Sequence, residues 1–344
     1  MKDSSRPRLR DIAKSAGVSI STVSLVINDK PGVSDDTRRE VRALLAEHGY
    51  KSTRARKDDR SRTILFAVYD RSDIRASHNP FFNEVLRGVE REARRDGFGL
   101  TVAYISDENH LDEFVTSIVE SPPGGLLIDA SVMDDAAMRR VRAYTDAPVV
   151  VLDNYFPDIS VDTVAIDNHG GTVLAVEHLI AMGHTRIGTI GSSVRTRNFD
   201  ERQAAFSETL RHAGLAPNAD WVFDVTPTQD GSLRDMTRIF ENTSDLPDAV
   251  FAQNDIIAFG TIGAAKVRGM KLPDGLSVVA FDNLPFSDIL EPRLSTVHVN
   301  TERLTAIAVK RLIERIADKD VIEFTKTRVG TDLVIRDSVS DIRN

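Results

Sequence analysis

The sequence predicts two fold classes in tandem: an all-α helix-turn-helix headpiece, then an α/β core of two doubly wound parallel-sheet lobes. Three observations predict it. Leu9 to Asn28, LRDIAKSAGVSISTVSLVIN, has the spacing of two short helices around a tight turn. From Thr63 onward, apolar runs of strand length alternate with amphipathic helical stretches. That alternation then restarts near residue 162, so two similar series lie in one chain.

In the headpiece, Ile12, Ala13 and Ala16 fall on one face of a first helix. Gly17 breaks it, because glycine tolerates the left-handed backbone of a sharp turn. The Ser19 hydroxyl caps the second helix. Val23, Val26 and Ile27 turn inward, leaving Ile20, Ser21, Ser24 and Leu25 facing out, as on a helix that enters the DNA major groove. A third helix, capped at Ser34 and running from about Asp35 to Glu47, closes the small core with Val41, Leu44 and Leu45. Any small helical hairpin shares part of this pattern. The surrounding Arg6, Arg8, Arg10, Lys14, Lys30, Arg38, Arg39 and Arg42 favour a DNA-facing one.

The charge distribution agrees. Residues 1–62 carry 15 Lys and Arg against 9 Asp and Glu, a net of +6; the rest hold 29 against 43, a net of −14. A basic arm on an acidic body places phosphate contact on the arm alone. Residues 51–62, KSTRARKDDRSR, mark the boundary and read either as a solvated linker or as a segment that orders on DNA. The sequence has no cysteine, which excludes disulfides and thiolate metal sites. No apolar run approaches the roughly 18 residues of a membrane span, and no apolar leader opens the chain, so a cytoplasmic protein without membrane contact is expected.

The first α/β series reads ILFAVYD (64–70), a helix around Phe81–Asp96, GLTVAYI (99–105), a helix around Leu111–Val119, GGLLID (124–129), a helix around Asp135–Tyr144 and VVVLD (149–153). The second opens at DTVAID (162–167), where Asp167 caps a helix that Gly183 closes. TRIGTIG, WVFDV, AVFAQND and LSVVAFDN follow with helices between them. Ligands of such sheets bind beyond the carboxyl ends of the strands. Asp70, Asp153, Asn254, Asp255 and Asp282 each end a strand-like run, and Arg202 begins a helix. Carboxylates, an amide and a guanidinium at one mouth suit a hydroxyl-rich ligand; equally, Asp and Asn end strands because they favour turns and caps. Asp107, Glu108, His110, Asp112 and Glu113 read as the solvated start of a helix rather than a metal cluster, and Trp221 as strand packing. There is no Gly-x-Ser-x-Gly elbow, His-Glu-x-x-His pair or phosphate loop, and no cofactor is expected.

These motifs resemble the lactose/galactose-repressor family of bacterial transcription regulators, from Leu9 to about Ile335. DIAKSAGVSISTVSLVIN, NPFFNEVLRGVE, VAIDNHGG with HLIAMGH, AQNDIIAFG, and LSVVAFDN with LSTVHVN carry the resemblance. It implies a non-enzymatic repressor that binds a double-stranded palindromic operator as a homodimer. It also implies a core like the periplasmic sugar-binding proteins, closing on a small-molecule effector, most readily a sugar. A nucleobase corepressor is the alternative, and a sugar sensor or transport protein without DNA regulation is the competing class. The divisions implied are a headpiece 1–50, a basic hinge 51–63 and a core 64–344. The first lobe takes about 64–165 and 297–326, the second about 166–296 and 327–344, with chain crossings near 163–166, 293–297 and 325–328.

By motif position, Ile20, Ser21 and Leu25 fall where the family reads base edges. Ser19, Thr22, Ser24, Asn28, Arg10, Lys30, Arg54 and Arg56 complete the expected DNA contacts. Arg202, Asn254 and Asp282 fall where the family contacts effector, and Asp153 and Phe82 on the first lobe's side of the cleft. The chain departs from the commonest members in its hinge. Ser52, Arg56 and Asp59 stand where those have Pro, Ala and a minor-groove Leu, and no Leu occurs from 51 to 62. Basic side chains in place of a wedge make binding more salt-sensitive. Ile20 and Leu25 cannot hydrogen-bond base edges and suit thymine methyl groups.

Overall fold

The structure is a computed structural model that describes residues 9–27, 32–47, 62–70, 80–318 and 323–343. The chain divides into two compact units, Met1–Thr63 and Ile64–Asn344.

Among its described residues the headpiece holds three helices, α1 (Leu9–Ser15), α2 (Ile20–Ile27) and α3 (Asp35–Glu47). Ile12, Ala13, Val23, Val26, Val41 and Leu45 form its core, with Ala16, Val18, Val33 and Leu44 packed against it. Each small residue at the α1–α2 contact lets the two backbones approach, as the spacing predicts. Gly17 has φ +62°, the left-handed turn that a Cβ would strain. The Ser19 hydroxyl accepts the Thr22 N–H at 3.1 Å, and Ser34 does the same for Thr37 at 3.3 Å, so both caps are as expected.

The larger unit holds two six-stranded sheets. In the first lobe these are β1 (Thr63–Tyr69), α4 (Pro80–Arg95), β2 (Gly99–Ile105), α5 (Glu108–Glu120), β3 (Gly125–Asp129), α6 (Asp135–Ala143), β4 (Val149–Leu152) and β5 (Asp162–Ile166). In the second come α7 (Asn168–Ala181), β6 (Ile187–Ser192), α8 (Arg197–His212), β7 (Val222–Val225), α9 (Gln229–Asn242), β8 (Ala249–Ala252), α10 (Asp255–Val267), β9 (Ser277–Asp282) and β10 (Ser295–His298). The chain ends with α11 (Thr301–Ala317), β11 (Lys326–Val329) and β12 (Asp332–Val334). The strand orders are β2-β1-β3-β4-β5-β11 and β7-β6-β8-β9-β10-β12, the same winding twice. β3, β4, β5, β6, β8 and β9 are buried along their whole length, because helices cover both faces of a parallel sheet. The second sheet is not wholly parallel: β12 runs antiparallel to β10 and closes its edge.

The lobe boundaries differ from those expected. β5 and β11 pair in the first sheet as far as Ile166 and Val329, and β10 pairs in the second as far as His298. The chain therefore crosses at Asp167, at 299–300 and at 330–331, each a few residues later than the sequence suggests. A strand has to finish its ladder before the chain can leave the sheet, and at the first two crossings Asp167 and Asn300 then cap the next helix. α11 returns to the first lobe as predicted, packing on α4 and on β3 to β5. Gly88 permits this: a Cβ there would lie 2.4 Å from Thr305 Oγ1.

Candidate functional site

The carboxyl ends of both sheets face each other across the three crossings. From the first lobe, Asp70, Asp129 and Asp153 arrive just beyond or at the ends of β1, β3 and β4, all buried. From the second, Asp282 ends β9 and Arg202 projects from the first turns of α8, both buried. Asp153 and Asp282 have φ of +57° and +116°. Non-glycine residues hold such angles only where surrounding contacts fix them.

Arg202 organises the second-lobe wall. Its guanidinium carbon lies 3.7 Å from the Phe281 ring centroid. Nε donates to Asn168 Oδ1 at 2.9 Å and Nη1 to the Gln253 carbonyl at 2.5 Å. Asp282 Oδ1 lies 3.7 Å from Nη1. Burial pushes the Asp282 carboxyl well above the usual range although the guanidinium pulls it back. Burial raises Asp153 to about 7, with repulsion from Asp129 adding to it, and raises Asp129 to about 6. Near neutrality this is a cluster of carboxyls that both donate and accept around one cation.

Among the described residues, three polar bridges join the lobes. Asn198 Nδ2 donates to Asp153 Oδ1 at 3.1 Å, Arg197 meets Asp135 at 2.8 Å, and Arg328 meets Glu201 at 2.7 Å. Arg197 and Arg328 also lie over Phe156 and Tyr155, at 5.7 and 5.0 Å. Beside these bridges is a cavity of about 540 Å³, walled by residues 131–135 of the first lobe and by Arg195, Thr196, Arg197 and Asp200 of the second.

Residues 8–52 match the family described as "Bacterial regulatory proteins, lacI family", and residues 176–339 match "Periplasmic binding protein-like domain". The chain is 31% identical over 318 residues to the HTH-type transcriptional repressor PurR of Aliivibrio salmonicida, covering 90% of this chain and 92% of that one. The chain belongs to the lacI family of bacterial regulatory proteins. Like the other members it is similar to, it is a DNA-binding transcriptional repressor. Two solved structures place it further. A transcriptional regulator CelR–cellobiose complex has a TM-score of 0.73 at 26% identity, covering 97% of this chain and 100% of that one. The lac repressor dimer bound to operator and the anti-inducer ONPF has a TM-score of 0.74 at 24% identity, over 98% and 100%, and shares the fold.

Within this lacI-family core, Arg202 and Asp282 lie 3.7 Å apart, and Asp153 is joined to the second lobe through Asn198. Asn254 is present, but its Oδ1 caps α10 by accepting the Ile257 N–H at 2.8 Å. Phe82 is almost fully buried. It packs in the first-lobe core, stacked on Phe66 at 6.3 Å. Its neighbour Phe81 touches the apolar clusters of both lobes instead. Adjacent residues at the start of a helix point roughly 100° apart, so only one of the two faces the sheet. Asp255 is also turned away from the mouth: its carboxylate accepts Leu284 N–H, Ser287 Oγ and Thr296 Oγ1, each at 2.6 Å. Sequence reasoning missed Asp129, Asn168, Asn198 and Glu201. Asp129 carried the same strand-ending signal as Asp153. The other three sit inside helices, and only their neighbours across the fold reveal them. Trp221 opens β7 from a short 3₁₀ turn and is packing, its Nε1 donating to the Asp245 carbonyl at 3.1 Å.

On the DNA side, Ser19, Thr22 and Leu25 lie at or within α2, with Ser19 exposed and Thr22 and Leu25 half-buried. The side chains of Arg10, Ile20, Ser21 and Ser24, and the whole of Asn28, Lys30, Arg54 and Arg56, lie outside the described residues. The hinge expectation rests on residues 51–61, which fall outside them too.

Proposed function

We propose that two copies of this repressor grip a palindromic operator through α2, and that a neutral, hydroxyl-rich effector, a sugar, binds between the lobes and shifts that grip. Arg202 held against Phe281 with Asp282 beside it, facing Asp153 across the cleft, carries the reading. Hydroxyls donate to ionised carboxylates and accept from the guanidinium and from protonated carboxyls, so one polyol satisfies the whole cluster. Asn254 and Phe82 move to supporting roles, as helix cap and as core packing behind Phe81. The likeness to the CelR–cellobiose complex supports a carbohydrate. A homodimer places the two headpieces about one helical turn apart, and an effector that binds one lobe closure better shifts the population. The acidic core keeps the duplex on the basic headpiece and hinge, with Ser19, Ile20, Ser21, Thr22, Ser24, Leu25, Asn28, Arg10, Lys30, Arg54 and Arg56 as the contact set, in the cytoplasm.

A nucleobase corepressor is the second reading, favoured by the name PurR on relatives at 31% identity. Calorimetry on the full chain with panels of mono- and disaccharides and of nucleobases separates the two. Binding to sugars alone supports the proposal, and tight binding to nucleobases alone replaces it. Removal of residues 1–62 abolishes the gel shift of any palindromic operator that the full chain binds.

A further inference from the structure

Asn168 sits directly after the first crossing, at the start of α7, and is fully buried. Every hydrogen bond of its side chain goes to α8. Its Oδ1 accepts Arg202 Nε at 2.9 Å, and its Nδ2 donates to Asn198 Oδ1 at 3.0 Å and to Glu201 Oε2 at 3.2 Å. Those two residues are the second-lobe ends of two interlobe bridges. Asn198 reaches Asp153 and Glu201 reaches Arg328, which precedes the third crossing by two residues. A buried amide bonded at both ends fixes the orientation of all its partners at once, because each unmade bond there costs its full desolvation.

We propose that Asn168 is a positioning residue that ties the Arg202 guanidinium to lobe closure, setting Asn198 and Glu201 for their partners in the first lobe. A ligand that displaces or tightens Arg202 then changes the bridges through one amide, with no need for direct contact to the first lobe. The functional use of this closure rests on the proposed effector reading; the closure itself does not, and it is measured without any ligand.

The chain has no cysteine, so two introduced ones report alone. Val119 on α5 and Val267 on α10 are exposed, one in each lobe. Spin labels at Val119→Cys and Val267→Cys, in full-length protein diluted with unlabelled chain, give the interlobe distance distribution by pulsed electron resonance. Asn168→Ala lengthens and broadens that distribution, as does Arg328→Glu, which breaks the bridge to Glu201. Asn168→Asp is isosteric and keeps the chain folded, with circular dichroism as the check. It retains the acceptor for Arg202, loses both donors, and opens the lobes. Adding Glu201→Gln supplies an amide donor to the new carboxylate while still accepting from Arg328, and brings back at least half of the shift. A purely structural asparagine gives no such rescue. An unchanged distribution in both Asn168 variants overturns the proposal, and so does opening that Glu201→Gln fails to reverse. If the distances behave as expected but no sugar binds, the coupling stands and the effector reading falls.

Discussion

Arg202 stacks on Phe281, its guanidinium carbon 3.7 Å from the ring centroid, and still gives Nε to Asn168 and Nη1 to the Gln253 carbonyl. Stacking and a two-sided fork are properties of a planar guanidinium that an ammonium lacks. Arg202→Lys therefore keeps the charge but weakens effector binding by at least about tenfold in calorimetry, one hydrogen bond to a charged group being worth about 1.5–3 kcal/mol. Arg202→Ala also lowers stability to urea by about 2 kcal/mol, since the Asn168 amide oxygen and the Gln253 carbonyl are left buried without their donor.

The buried carboxyls set a pH dependence. Asp129 and Asp255 sit at about 6 and Asp153 at about 7, all raised by burial, and Asp282 is raised in the same direction. The folded chain then binds more protons than the unfolded one above pH 3.8, so stability is greatest at the acid end of this window and falls as pH rises through about 6 to 7. His178, lowered by burial and by the nearby His184, acts in the opposite sense below pH 6.5, but it is one group against four. Urea midpoints of the core are expected to fall between pH 5 and pH 8. Asp153→Asn tolerates the left-handed backbone and still accepts from Asn198. It flattens that fall by up to about 1.4 kcal/mol per pH unit across the window of Asp153. A midpoint that rises over this range refutes the assignment.

The legible part of this molecule was the part written in short-range pattern. Caps at Ser19, Ser34 and Asp167, the turn at Gly17 and the fully apolar strands β4 and β8 all follow from local spacing. Arg202 and Asp282 were placed by motif position, and they do meet. What local pattern could not give is which of two neighbours turns inward, as with Phe81 and Phe82, or which polar strand end is spent inside its own lobe, as with Asp255. Asn168 was hidden for the same reason: its partners lie about thirty positions away, on another helix. The crossings were misplaced because strand ends are fixed by pairing with strands far away in sequence.

Asp255 gathers three donors from three segments: Leu284 N–H, Ser287 Oγ and Thr296 Oγ1. Asp255→Ala leaves all three without an acceptor in a fully buried place, at a cost of about 3 kcal/mol. The segment it ties down includes Asn283, at φ +58°, next to Asp282. Amide exchange is expected to accelerate over 283–288 in this variant, and the effector to bind more weakly although Asp255 does not face the cleft. Asp255→Asn retains an acceptor and loses less on both measures.

The headpiece offers a test in which fold and function separate. Ser19 is exposed, yet its hydroxyl is engaged with the Thr22 N–H at 3.1 Å and lies 2.8 Å from the Thr22 hydroxyl. Ser19→Ala removes an N-cap, worth about 1 kcal/mol to α2, while Ser19→Asp keeps the cap and adds a negative charge at the helix start. If Ser19 matters only as a cap, amide exchange in α2 speeds up in the alanine variant alone, and operator binding weakens in proportion. If α2 lies against phosphates, the aspartate variant retains slow exchange but loses operator affinity through repulsion, and its loss shrinks as salt is raised. Gly17→Ala serves as the control: at φ +62° it strains the turn by about 1 kcal/mol without touching charge, so its effect on operator binding does not vary with salt. Footprinting of the three variants at two salt concentrations, beside exchange rates on the same protein, decides between a capping serine and one that also meets DNA.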